Sequence, residues 1–242
     1  MSDPDTKKKL HHYLPNYITF LSQGFGLVSI VLSIREHIFL AGMLIIGASI
    51  LDSLDGFSAR KLNLESTFGL HLDSLTDMVC FGVAPIVLVS QHLQLQDRFS
   101  YWLIPFFLLQ IWAGGFRLAR FNLQPPKESS TGSSLGLTIS LAGLAMTLMI
   151  LSDLTQTGTD YPLMIIMGQI LLISFLMVSR IRLPALSWFV PHWSLYILYG
   201  IALVVISLKF SIFTALWNFW MVIVGASILQ HFIVKRLKKH SS

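Results

Sequence analysis

The stretch LDSLDGFSARKLNLESTFGLHLDSLTDMVCFGVAP, residues 51–85, gathers four aspartates inside a chain that is otherwise strongly apolar. They are a third of the twelve acidic residues in the sequence, and they are Asp52, Asp55, Asp73 and Asp77. Each carboxylate costs roughly 2.5–3.5 kcal/mol at membrane depth on insertion scales. Four such groups in one short stretch therefore indicate a functional site rather than ordinary surface charge.

The composition is that of a membrane protein. Of the 242 residues, 54% are hydrophobic and 12% are charged, whereas soluble domains carry about 25% charged residues. The net charge of +5 does not indicate nucleic-acid binding, because the basic residues adjoin apolar spans and suit anionic lipid headgroups. The single cysteine, Cys80, excludes a disulfide within the chain. The polar first twelve residues do not resemble a cleavable signal peptide.

Apolar runs of about 20 residues are long enough to cross the hydrocarbon core of a bilayer as helices. We therefore predict an all-α, polytopic membrane protein with about eight transmembrane helices. They lie near residues 15–34, 38–58, 68–91, 99–119, 134–152, 161–180, 191–208 and 212–234. The clearest loops, 124–134 and 153–160, are rich in small and polar residues that favour turns.

The distribution of basic residues predicts the orientation of these helices, because Lys and Arg favour the cytoplasmic side. With the N-terminus inside, 14 of the 17 basic residues fall on the cytoplasmic side. The three on the other side are Arg35, Arg98 and Lys209. We therefore expect both termini and the aspartate cluster at the cytoplasmic face of the membrane, which we expect to be a bacterial inner membrane.

The spacing of the aspartates predicts that they converge. Asp52 and Asp55 are three residues apart, and Asp73 and Asp77 are four apart, so each pair shares one face of a helix. Gly69 lies four residues before Asp73, on the same face. Two antiparallel helices joined by the polar segment between the pairs would bring all four carboxylates together.

Such a cluster needs positive charge to balance it. Arg60 alone cannot neutralise four carboxylates, so we expect two divalent cations, and all-oxygen ligands suit Mg²⁺, Mn²⁺ or Ca²⁺. Two-metal sites stabilise both the attacking and the leaving oxygen in phosphoryl transfer. Gly56 and Ala59 leave room for a close approach, and the Arg60 guanidinium suits a phosphate. Together these residues favour a site for a nucleotide diphosphate.

These positions resemble a known signature, that of the CDP-alcohol phosphotransferase family. The sequence matches it in all eight fixed positions, as Asp52-x-x-Asp55-Gly56-x-x-Ala59-Arg60, eight residues, then Gly69-x-x-x-Asp73-x-x-x-Asp77. Members transfer the phosphoalcohol part of a CDP-linked donor to a hydroxyl acceptor and release CMP. The resemblance implies a six-helix membrane core, which is usually dimeric, so we expect a homodimer.

The resemblance also implies roles for the signature residues. The four aspartates would hold two divalent cations, Mg²⁺ or Mn²⁺, and Asp77 would also be the catalytic base. The CDP part of the donor would be contacted by Asp52, Gly56, Ala59, Arg60 and Gly69. The implied division of the chain is a basic cytoplasmic segment (1–13), the six-helix catalytic core (14–182), two additional helices (183–234) and a basic cytoplasmic tail (235–242).

Three further stretches are similar to the bacterial and archaeal members of the family whose acceptor is serine. They are LPNYITFLSQGFGL (14–27), DSLTDMVCFGVAP (73–85) and FRLARFN (116–122). This similarity implies CDP-diacylglycerol as donor, L-serine as acceptor and membrane lipids as the surroundings. Asn16 and Thr19 would face the nucleotide, and Arg117 or Arg120 would orient the serine carboxylate or the donor phosphates.

The chain departs from the serine-using members in two places. Cys80 stands where they tend to have serine, and Thr138 and Ser140 stand where they tend to have prolines. Other acceptors therefore remain alternatives: inositol, choline or glycerol 3-phosphate. Members that use glycerol 3-phosphate usually carry Pro and Lys beside the last two aspartates, and this chain has neither. A transporter with interfacial carboxylates is a further alternative, although no internal repeat supports it.

Overall fold

A computed structural model describes residues 4–62, 67–123, 133–155, 160–184, 212–218, 220–221 and 225 of the chain. The chain divides into two compact units, Met1–Tyr101 and Trp102–Ser242. The first contains helices α1 (Pro4–Ile34), α2 (Ile38–Leu62), α3 (Thr67–Asp77) and α4 (Ala84–Leu95). The second contains α5 (Ile104–Asn122), α6 (Ile139–Thr155) and α7 (Leu163–Val178), together with two short strands, β1 (Ser133–Leu135) and β2 (Arg182–Pro184). A single 3₁₀ turn at Tyr101–Leu103 precedes α5.

The fold class predicted from composition is confirmed, because the described part of the chain is helical apart from the two three-residue strands. Helices occupy the first six predicted spans. Four of them are long and apolar enough to cross a membrane, namely Asn16–Ile34, Ile38–Asp55, Thr67–Leu95 and Tyr101–Asn122, while α6 and α7 are shorter apolar helices. The predicted seventh span lies outside the described residues, and of the eighth the stretch 212–218 is helical.

Many large apolar side chains point away from the protein, as expected of helices that face lipid. Phe175 is 66% exposed and Trp112 is 67% exposed in the second unit, and Ile50 is 58% exposed in the first. Large exposed apolar patches are uncommon on soluble monomeric proteins. The exposure therefore agrees with a polytopic membrane protein.

In the first unit, α1 packs along α2 and also contacts α3 and α4. The helices α1 and α2 are joined by a tight connection in which Glu36 has a φ of 67°. The amide of Glu36 donates to the Ser33 carbonyl, and the amide of His37 donates to the Leu32 carbonyl. These two bonds satisfy the last carbonyls of α1 and form the paired motif that commonly ends helices.

The third predicted span is one helix from Thr67 to Leu95 with a widened middle. Its residues Met78–Val83 form a π-helical segment between α3 and α4. Pro85 follows immediately, in the first turn of α4. Proline has no amide hydrogen and its ring crowds the carbonyl four residues earlier, so it disturbs the regular α-helical bonding just before it. The sequence predicts the helix but not this segment.

In the second unit, polar side chains connect the helices. Ser174 of α7 donates a 2.7 Å hydrogen bond to the side-chain oxygen of Gln110 on α5. The Gln169 amide donates to the Ala145 carbonyl of α6 at 3.1 Å. Hydrogen bonds between helices are a common means of association where the surroundings are apolar. The helices α5, α6 and α7 are therefore held together by specific contacts as well as by packing.

The two short strands join the segment before α6 to the segment after α7. The strand β1 pairs antiparallel with β2, with Ser133 opposite Pro184 and Leu135 opposite Arg182. Between β1 and α6, Thr138 caps the helix, because its hydroxyl accepts a hydrogen bond from the Leu141 amide at 3.4 Å. The position where serine-using relatives tend to have proline therefore holds a capping residue in this chain.

Candidate metal centre

Three of the four signature aspartates lie close together in the first unit. Asp52 and Asp55 come from α2 and Asp73 comes from α3, and each offers one carboxylate oxygen within 4.8 Å of those of the other two. Asp55 is buried, and the other two are partly buried. The convergence predicted from the spacing is confirmed for these three residues.

Local helix geometry explains how the three carboxylates meet. Asp52 and Asp55 are separated by nearly one turn of α2, so both project from the same face. Both α2 and α3 pack against α1, and the carboxylates of the α2 pair lie close to that of Asp73 on α3. Asp73 projects into the same space from the middle of α3.

Asp77 lies one helical turn after Asp73, at the last residue of α3. It is 7% exposed, and the group of mutually close carboxylates among the described residues does not include it. Gly69 lies one turn before Asp73 and is partly buried. The face of α3 therefore carries Gly69, Asp73 and Asp77 in succession.

The arrangement of Asp52, Asp55 and Asp73 fits a divalent cation. Ionised carboxylates are acceptors only, and three of them this close repel one another unless positive charge lies between them. Hard cations such as Mg²⁺, Mn²⁺ and Ca²⁺ prefer oxygen ligands of this kind. The acidic triad is therefore a set of ligands that could hold a metal ion.

A fourth residue joins the group from α1. The Thr19 hydroxyl donates a 2.7 Å hydrogen bond to Asp55 Oδ2, and both side chains are buried. Asn16 lies almost one turn earlier on α1 and is partly buried. The contact between Thr19 and Asp55 was not predicted, because the two residues are 36 positions apart and no local pattern links them.

The remaining predicted residues of α2 are only partly described. The helix backbone continues to Leu62 and so includes Gly56, Ala59 and Arg60. Their side chains lie outside the described residues. Their assignment to the CDP part of a donor stays a prediction.

The two predicted arginines belong to the second unit, on α5. Arg117 is 7% exposed, and its guanidinium carbon lies 5.6 Å from the centre of the Phe121 ring. Arg120 donates hydrogen bonds to three carbonyls at the end of α7: Nη1 to Val178 at 3.0 Å and Ser179 at 3.2 Å, and Nη2 to Met177 at 3.2 Å. A cation at a helix C-terminus is favourable because the last carbonyls there carry partial negative charge.

Gly136 lies beside the Arg120 guanidinium. Its φ is +78°, and a Cβ added there would lie 2.8 Å from the Met177 carbonyl oxygen and 3.0 Å from Arg120 Nη2. The Gly136 amide donates to the Ile181 carbonyl at 2.9 Å. Arg120 and Gly136 together attach the segment before α6 and the end of α5 to the end of α7. The basic character of Arg120 was evident in the sequence, but nothing there identified this contact.

Polar side chains also join α6 and α7 to the 212–218 stretch, and these contacts were not predicted from the sequence. The Ser152 hydroxyl is within hydrogen-bond distance of Tyr161 at 2.8 Å and of Thr214 at 2.7 Å, and the Tyr161 amide donates to the Asp153 carboxylate. The Trp217 indole donates to the Gln169 side chain at 2.8 Å. These contacts attach the 212–218 stretch to α6 and α7.

Comparison with known proteins shows the family to which the chain is similar. Residues 12–179 match the family model described as CDP-alcohol phosphatidyltransferase. A protein of Helicobacter pylori strain J99 named CDP-diacylglycerol–serine O-phosphatidyltransferase is 32% identical over 203 residues, which are 82% of each chain. Proteins with the same name are 34% identical in Bacillus subtilis, over 72% of this chain and 90% of the relative, and 32% identical in Methanocaldococcus jannaschii, over 71% and 73%.

Proposed function

Because this chain belongs to the CDP-alcohol phosphatidyltransferase family, we propose that it transfers the phosphatidyl group of CDP-diacylglycerol to the hydroxyl of L-serine. The products are phosphatidylserine and CMP. The names of relatives that cover most of both chains support serine as the acceptor and CDP-diacylglycerol as the donor. The same chemistry with inositol, choline or glycerol 3-phosphate is the alternative.

The observation that carries the proposal is the convergence of Asp52, Asp55 and Asp73 within the complete signature. These residues and Asp77 would hold two divalent cations, Mg²⁺ or Mn²⁺. When bound, the cations would withdraw charge from the donor pyrophosphate and make CMP a better leaving group. The carboxylates themselves fix the place where the donor phosphates bind.

We assign Asp77 as the base that deprotonates the hydroxyl of the acceptor. Its carboxylate takes the proton of the serine hydroxyl while the hydroxyl oxygen attacks the phosphorus that carries diacylglycerol. A bond forms between the serine oxygen and that phosphorus, and the bond from the phosphorus to the CMP oxygen breaks.

The nucleotide and the acceptor have further proposed contacts. The place of the CDP part is lined by Asn16 from α1 and by Gly56, Ala59, Arg60 and Gly69, and Asp52 also contacts it. Arg117 and Arg120 are the residues that we propose for orienting the serine carboxylate or the donor phosphates. The Arg120 guanidinium also donates to three carbonyls of α7.

The setting that we propose is a homodimer in a bacterial inner membrane, with residues 14–182 as the catalytic core. The site and both termini lie on the cytoplasmic side. The bias of basic residues supports this orientation, and the family resemblance supports the dimer.

A reconstituted assay tests the proposed function. The purified chain in lipid vesicles receives CDP-diacylglycerol, Mn²⁺ or Mg²⁺, and labelled serine, inositol, choline or glycerol 3-phosphate in parallel. We expect labelled phosphatidylserine and an equal amount of CMP, both lost when the metal is chelated. Transfer to another alcohol with none to serine would favour the alternative.

A further inference from the structure

We propose that Thr19 is a positioning residue of the metal centre: its hydroxyl holds the Asp55 carboxylate in the orientation in which that aspartate binds a divalent cation. The hydrogen bond from Thr19 Oγ1 to Asp55 Oδ2 measures 2.7 Å. The inference rests on the proposed role of the aspartates as metal ligands. It gives Thr19 a role other than the nucleotide contact that the family resemblance implies.

The bond is part of a regular series along the contact between α1 and α2. The Ser29 hydroxyl donates to the Ala41 carbonyl at 2.9 Å, and the Ser22 hydroxyl donates to the Ala48 carbonyl at 3.1 Å. As the positions on α1 fall, the partners on α2 rise, as antiparallel helices require. Thr19 continues this series toward the carboxylate cluster, where its acceptor is a side chain rather than a backbone carbonyl. The same kind of hydrogen bond that joins the two helices therefore also holds Asp55, a proposed metal ligand.

The surroundings make this bond strong. Thr19 and Asp55 are each 5% exposed, so water competes weakly for either partner. Hydrogen bonds to an ionised acceptor are roughly twice as strong as bonds between neutral groups. A threonine hydroxyl has one hydrogen to donate, and in this structure that hydrogen is directed to Asp55. The hydroxyl is therefore not the donor that a nucleotide phosphate would need.

The consequence for Asp55 is a fixed rotation of its carboxylate. An aspartate on a helix otherwise turns about its side-chain bonds, and three carboxylates with oxygens within 4.8 Å of one another tend to rotate apart. The bond to Oδ2 therefore restrains the direction in which the Asp55 carboxylate faces a cation. Outer partners of metal ligands typically change metal affinity or activity by about 10- to 100-fold when they are removed.

Metal binding without substrate tests the inference. The full-length protein in detergent is titrated with Mn²⁺, and free Mn²⁺ is measured by electron paramagnetic resonance. We expect Thr19→Val, which keeps the shape and removes the hydroxyl, to raise the Mn²⁺ Kd by about 10-fold or more. Thr19→Ser should restore an affinity close to that of the wild type. If Thr19→Val does not give folded protein, Thr19→Ala removes the same hydroxyl with a smaller side chain.

Ser29→Ala is the matched control. It removes a buried hydroxyl that bridges the same two helices, away from the carboxylates, and should leave the Mn²⁺ Kd unchanged. A second control uses Asp55→Asn, in which the proposed route of action is already lost. On that background Thr19→Val should cause no further loss of Mn²⁺ affinity, whereas a general structural effect would add to it.

An unchanged Mn²⁺ Kd in Thr19→Val would overturn the inference. Weakened binding of CDP alone, at saturating Mn²⁺, would do the same and would assign Thr19 to the nucleotide. Failure of the proposed function alone would give a different result. Thr19→Val would still weaken Mn²⁺ binding, but the wild type would transfer no phosphatidyl group to serine. A wild type without saturable Mn²⁺ binding would overturn both.

Discussion

Asp77 differs from the other signature aspartates in its position. It ends α3 and directly precedes the π-helical segment, whereas Asp52, Asp55 and Asp73 form the mutually close group. In our proposal Asp77 is both a metal ligand and the base, so a substitution there tests the second role.

We therefore expect Asp77→Asn to abolish turnover while CDP binding in the presence of Mn²⁺ remains largely intact. The amide cannot accept a proton, and loss of a general base typically lowers the rate by about 10²–10⁴-fold. CMP release measures the turnover, and calorimetric titration with CDP measures the binding. Turnover near that of the wild type would refute the assignment of the base.

Arg117 and Arg120 are three residues apart in the sequence but have different surroundings. Arg120 donates to the terminal carbonyls of α7, and Arg117 is buried beside Phe121. The sequence alone predicts the same role for both. The structure gives Arg120 a contact that stabilises the fold.

We expect Arg120→Ala to lower the free energy of unfolding by about 2 kcal/mol, since it removes hydrogen bonds donated by a charged group. Thermal unfolding in detergent measures this. Arg117→Ala should instead raise the serine KM far more than the KM for CDP-diacylglycerol. Equal small effects of Arg117→Ala on both KM values would exclude a role in orienting serine.

Among the elements, the π-helical segment matters most for the site because it connects Asp77 to α4. Its residue Cys80 is fully buried, and the thiol donates to the Ser22 carbonyl at 3.3 Å. Opposite it, a Cβ added to Gly26 would lie 2.5 Å from Cys80 Sγ and 3.1 Å from Cys80 Cα. The absence of a side chain at Gly26 therefore permits the close approach of α1 to this segment.

We expect Gly26→Ala to force α1 away from the π-helical segment, at a cost of roughly 1–3 kcal/mol in stability, as in other overpacked interiors. Turnover should fall as well, because Asp77 lies three residues from Cys80. Gly24→Ala is the matched control on the same helix, since a Cβ there meets nothing within 4 Å. It should be neutral or stabilising. Equal melting temperatures for the two variants would contradict the packing argument.

The bias of basic residues supports our proposed orientation of the molecule in the membrane, and this orientation gives a further prediction. In a Cys80→Ser background, Ser2→Cys and Ser242→Cys should react with a membrane-impermeant maleimide only after the cells are permeabilised. His37→Cys, in the exposed connection between α1 and α2, should react in intact cells. The cysteine-free parent is the control. The reverse pattern of labelling would place the site on the outer face.

The helices and the aspartate triad could be predicted from the sequence because both depend on short-range patterns. Apolar runs determine where a helix can cross a bilayer, and spacings of three and four determine which carboxylates share a face. The π-helical segment was harder to predict from the sequence, although Pro85 indicates that the regular helix is disturbed there. The strands β1 and β2 gave no pattern, because each is three residues long and is defined by its pairing.

The amino-acid sequence is enough to predict the class of the protein, the first six helices, and which aspartates share a helix face. The partners of the polar side chains are known only from the packing of the helices. Thr19 meets Asp55 across 36 positions, and Arg120 meets Met177 across 57. Such contacts depend on how whole helices pack and not on the residues next to them, because one hydroxyl or guanidinium can be satisfied by many acceptors of equal chemistry.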